Sequence, residues 1–117
     1  MSRDQRGAAT AELALGIPLL ASLTVGLVWL LAVGEAQVRV VDAARETARA
    51  VARGDAPAEA VARGEQVAPG ATVTVATRDG EVVSTASDSI SPPGGLLAFL
   101  PAAHVHAEAV AASEDSR

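Results

Sequence analysis

Between residues 13 and 34 the chain has no ionisable side chain, and Glu12 stands immediately before this run. As a helix those residues rise ~33 Å, enough to cross the ~30 Å hydrocarbon of a bilayer. A single membrane span is therefore expected, and the rest of the chain must be arranged around it. Glu12 is the residue that this placement makes unusual, because a carboxylate at the lip of such a helix is costly in lipid and marks a functional position.

A length of 117 residues leaves room for one anchor and one small domain. The formal net charge is −5, and the part from Glu35 onward carries all of it, with seven arginines against twelve acids. An acidic domain without a basic patch is a poor partner for nucleic acid. Cysteine is absent, so the chain has no disulfide, no thiol nucleophile and no soft metal ligand. No Ser/His/Asp arrangement, glycine-rich phosphate loop or catalytic carboxylate pair stands out, so neither enzymatic activity nor a cofactor or small-molecule substrate is expected. Trp29 and Phe99 are the only aromatic residues. A core of Val, Ala and Leu buries little area, so the domain should draw stability from packing on the long helix or on other subunits.

Helix-forming residues dominate from about residue 8 to residue 53. Pro18 is the one interruption; its missing N–H leaves the Ala14 carbonyl free and predicts a kink. Beyond Gly34, Val38, Val41, Ala44, Ala48 and Val51 recur at helical spacing and predict an apolar face. Glu35 with Arg39, Asp42 with Arg45, and Arg49 with Arg53 fall on a solvated one. Gly54 is placed to end the helix, Asp55 to cap a second short helix over 56–67, and Pro57 to sit in its first turn. Strands are expected over 72–77, 82–87 and 104–112, the first two joined by the tight turn Asp79-Gly80.

Three further features have competing readings. His104, His106 and Glu108 share one face of the last strand, but three alternating polar residues suit a solvent face as well as a metal site, and no metal is expected. The segment Leu96-Leu97-Ala98-Phe99-Leu100 reads as a lid over a thin core, with a docking surface as the alternative. Ser22 and Gly26, four apart in the span, offer room for close helix approach, although such small residues are ordinary in membrane helices.

The run Arg6-Gly7-Ala8-Ala9-Thr10-Ala11-Glu12-Leu13-Ala14-Leu15, after a short basic leader, resembles the processing region of type IV prepilins. Together with Gln37-Val38-Arg39-Val40-Val41-Asp42-Ala43-Ala44-Arg45 it is similar to the TadE-type minor pilins of tight-adherence (Flp) pili, particularly those of actinobacteria. The likeness covers roughly the first 55 residues. It implies that an aspartic prepilin peptidase cuts after Gly7, that Ala8 becomes the new N-terminus, and that Glu12 is the pilin glutamate; Pro18 acquires no role from it. The implied fold is α+β: a long pilin-like helix, its first half transmembrane, with a small three-stranded antiparallel sheet packed on its outer half. The corresponding organisation is a leader over 1–7, a membrane half over 8–34, an amphipathic half over 35–53, a short helix and linker over 54–70, a β domain over 71–112 and a flexible tail over 113–117. The implied partners are the membrane, the prepilin peptidase, other pilin subunits and the pilus assembly platform, and the implied role is surface adhesion.

Two other readings fit the residues. One is an uncleaved single-pass protein whose outer domain binds an envelope partner. The other is a secreted domain, since Ala32-Val33-Gly34 has the small-x-small shape of a signal-peptidase site, although the apolar run exceeds the usual ~7 to 15 residues. The resemblance places the N-terminus in the cytoplasm and the C-terminal domain outside. Counting arginines near the span gives the opposite, with Arg39, Arg45, Arg49 and Arg53 on the outer flank against Arg3 and Arg6.

Overall fold

A computed structural model describes residues 3–113. Residues 1–2 of the expected leader and 114–117 of the expected tail lie outside the described residues. One helix, α1 (Arg3–Ala52), gives the molecule its length of 86 Å against a width of 19 Å. It is followed by α2 (Pro57–Val67), the strands β1 (Thr72–Arg78) and β2 (Glu81–Ile90), a 3-10 turn (Gly95–Leu97) and β3 (Ala103–Ala112). The sheet is antiparallel in the order β1-β2-β3 and packs with α2 around the C-terminal half of α1, giving the α+β architecture that the sequence predicts.

Local chemistry fixes the connections. Gly54 adopts φ +104°, its N–H bonds to the Val51 carbonyl at 3.0 Å, and the Asp55 N–H reaches the Ala50 carbonyl at 2.9 Å. These two bonds make a Schellman motif, which only a residue free of a Cβ forms without strain. The expected cap of α2 is corrected: Ala56 is the N-cap and makes no side-chain cap bond, while Pro57 opens the helix. The Asp55 carboxylate instead meets the Arg53 and Arg63 guanidiniums at 3.3 and 3.5 Å, so ion pairing displaces capping. Asp79 and Gly80 both have positive φ between paired Arg78 and Glu81, the signature of a two-residue type I′ hairpin turn.

The buried stripe on α1 includes Ala36, Val40, Ala43, Ala44, Thr47 and Ala48; of the expected face, Ala44 and Ala48 are buried and the three valines are not. Val38 is 60 % exposed, and Val41 and Val51 are half-buried. The reason is steric: alanines let the sheet backbone close on the helix, and Val73, Val82, Ala86, Val105 and Ala107 fill the space from the other side. On the flank facing α2, Gly64 lies against Thr47, the Ala43 carbonyl and the Val73 side chain. Thr47 is fully buried, and its hydroxyl donates to the Ala60 carbonyl at a long 3.4 Å.

Ser84 is the one core residue that contradicts its surroundings. It is fully buried in β2, and its Oγ has no hydrogen-bond partner. An unsatisfied buried hydroxyl costs about 1–3 kcal/mol, whereas removing it leaves a nearly isosteric methyl group. Ser84→Ala should therefore hold stability level or raise it by about 1 kcal/mol, read as the change in denaturation midpoint of the solubilised full chain.

Candidate functional site

The residues singled out by the sequence all lie along the N-terminal half of α1. The helix begins at Arg3 and runs through Gly7, Ala8, Glu12 and Pro18 without a break, so Gly7 is helical rather than part of a loop before the helix. Gly7 is exposed, and a Cβ built on it would meet nothing within 4 Å. Two side-chain hydroxyls fold back on carbonyls one turn earlier: Thr10 Oγ1 donates to the Arg6 carbonyl at 3.0 Å, and Ser22 Oγ to the Pro18 carbonyl at 2.8 Å.

Ala8 and Glu12 are four residues apart and therefore neighbours on one helix face. Glu12 is exposed and, among the described residues, makes no ion pair. The pairs that do form lie far up the helix and beyond it. Arg39 bonds Glu35 at 2.7 Å, as expected, whereas Arg53 turns to Glu46 and Asp55. Glu12 is thus a carboxylate without a counter-charge at the edge of an apolar rod.

That rod is bare. Leu13, Leu15, Ile17, Leu19, Leu20, Leu23, Leu27, Leu30 and Leu31 are all exposed, Leu15 to 76 %. The most apolar 18-residue window of the helix has none of its residues buried. So large an apolar surface needs lipid or neighbouring subunits to cover it.

One contact on the rod was not foreseen. The segment over 95–100 does not close over the sheet core. It lies on α1, with Leu97 and Leu100 facing Leu19, Ser22, Leu23, Gly26 and Trp29 across a groove of about 460 Å³. A Cβ on Gly26 would lie 3.5 Å from Leu97 Cδ1. Ser22 and Gly26 do provide room for close approach, but the chain's own Leu97 uses part of it. The sequence signal was available: residues 89–103 form a second stretch with no ionisable side chain.

His104, His106 and Glu108 are exposed on the outward face of β3. They pair in register with Ser89, Ser87 and Thr85, which form the same polar face. Among the described residues no group of three or more His, Asp or Glu side chains is gathered as a metal-binding set.

Residues 7–49 match the family described as TadE-like protein, a match that opens at Gly7 and closes near the end of α1. Through this helix the chain is similar to the TadE-like family. Gly7, Ala8, Glu12 and Pro18 all fall inside the matched stretch, whereas α2 and the sheet lie beyond it. No curated protein and no solved structure matches the chain. The family match and the apolar helix together point to a pilin-like protein associated with the membrane and with Tad pili.

Proposed function

We propose that this chain is a minor pilin of the tight-adherence pilus. A prepilin peptidase removes residues 1–7, the subunit waits in the cytoplasmic membrane with its sheet domain outside, and it joins an adhesive fibre through α1. The observation that carries the proposal is the arrangement of Gly7, Ala8 and Glu12 at the base of a wholly exposed apolar helix, with no cation of the described chain paired to Glu12.

Cleavage between Gly7 and Ala8 leaves an ammonium on Ala8, with a reference pKa near ~8. Glu12 of the same subunit, one turn along, or of a neighbour, supplies the counter-charge. At ~4 Å and an effective dielectric of ~20, unit charges attract by ~4 kcal/mol, comparable with the ~3 kcal/mol insertion penalty of a buried charge. The pair thereby offsets its own cost in lipid, and between subunits it favours one register. Because Gly7 is helical in the intact chain, the peptidase has to unwind this turn to reach the bond; glycine, with its low helix propensity, makes that opening easier.

The test is recovery of the protein in the fibre fraction sheared from cells that have the pilus machinery. Recovery there supports the proposal, and exclusive retention in the membrane fraction overturns it.

A further inference from the structure

We infer that residues 95–100 form a second membrane-contacting element, a foot that rests in the hydrocarbon of the leaflet on the domain's side while the subunit is held in the bilayer. The inference rests on the reading of residues 13–34 as the span and extends it to a segment far away in sequence.

The first argument is height. Leu97 lies against Gly26, eight residues below Gly34, so it sits ~12 Å beneath the last uncharged residue of the helix. The span has no slack with which to avoid this. Its ~33 Å barely exceeds the ~30 Å of hydrocarbon, and sliding α1 outward far enough to free Leu97 would draw Glu12 and the amino end of a processed Ala8 into lipid. With the helix kept in place, the foot must enter the leaflet.

The second argument is chemistry. From Ser89 to Ala103 the chain has no ionisable side chain, while Asp88 and His104 stand at the two ends. Backbone polar groups are the usual obstacle to irregular chain in lipid. Here Pro92, Pro93 and Pro101 have no N–H to satisfy, and the Ala98 and Leu100 amides donate to the Gly95 and Leu97 carbonyls at 3.2 and 3.1 Å. Phe99, one of the two aromatic residues, is 78 % exposed at the tip, where water would leave it uncovered and acyl chains would not. The groove between the foot and Leu19, Leu23 and Trp29 is continuous with the bare surface of the span, so the same hydrocarbon covers both.

The chain has no cysteine, so a single one reports unambiguously. The full-length protein carrying Phe99→Cys, and separately Ala98→Cys, is labelled with a polarity-sensitive dye and reconstituted in phosphatidylethanolamine/phosphatidylglycerol vesicles containing brominated lipids. Leu23→Cys serves as the in-span reference and Thr74→Cys, exposed on the outward face of β1, as the aqueous one. Quenching at residues 98 and 99 within about twofold of residue 23, and about tenfold above residue 74, is expected. Quenching at 23 with none at 98 or 99 overturns the foot and leaves the span standing. A dye shielded from water yet unquenched by the brominated lipids shows that a second copy covers the groove, which also overturns it. Absence of quenching at 23 removes the span and the foot together.

Discussion

Glu12→Ala is expected to leave removal of residues 1–7 intact and to reduce recovery of the protein in sheared fibres by about fivefold. The size follows from the charges. Without the carboxylate, the ammonium of a processed Ala8 is left in or near lipid with no partner, and attraction worth ~4 kcal/mol at an effective dielectric of ~20 is lost. Part of that is returned, because the ~3 kcal/mol insertion penalty of the carboxylate disappears as well. The residual loss of ~1 kcal/mol corresponds to about fivefold in an equilibrium. Glu12→Asp keeps the charge but shortens its reach and should fall between the two. Sheared-fibre recovery, normalised to membrane-bound protein, measures the effect. Normal incorporation of Glu12→Ala would refute the pairing and return Glu12 to the role of an ordinary acid near a helix start.

The largest expected effect on the fold comes from Gly64→Ala. Alanine is the better helix former by about 1 kcal/mol, so propensity alone predicts stabilisation. Packing predicts the reverse: the new Cβ would collide with Thr47 Oγ1 and stand 3.3 Å from both the Ala43 carbonyl and Val73 Cγ1. Overpacking a closed core costs about 1–3 kcal/mol, so a net loss of about 1–2 kcal/mol is expected. Thr47→Ala should relieve the collision, because it removes the hydroxyl, giving up the long bond to the Ala60 carbonyl and a buried methyl group. In that background the cost of Gly64→Ala should shrink by about 1 kcal/mol, a coupling that a double-mutant cycle resolves. The readout is hydrogen exchange of β2 amides in the detergent-solubilised full chain, because the membrane half of α1 is expected to stay helical in detergent. Additive effects of the two substitutions would show that the contact between α1 and α2 is not what sets the cost.

Much of this architecture is legible in the residues because it rests on strong local signals. The charge-free run predicts the span, Gly54 ends α1 through a bond pattern that needs positive φ, and Asp79-Gly80 sets the hairpin register. The errors have a common physical origin, in that tertiary contacts outranked local preference. Helical spacing placed Ala44 and Ala48 correctly on the buried face but put Val38, Val41 and Val51 there too, where close approach to a sheet selected the alanines around Val40. Asp55 had the chemistry of a cap and was taken by two arginines. The segment over 95–100 looked like a lid because its sequence separation from residues 19–30 hides a contact that only the folded chain creates. Gly7, Ala8 and Glu12 were legible as a motif, and the structure adds that they lie on one uninterrupted helix.

Intact-mass analysis of the protein extracted from membranes of cells with a working prepilin peptidase tests the central claim most directly. The account predicts a chain that starts at Ala8. A chain that retains all seven leader residues would contradict it and leave a permanently anchored module, and a start near Glu35 would contradict it in favour of a secreted domain.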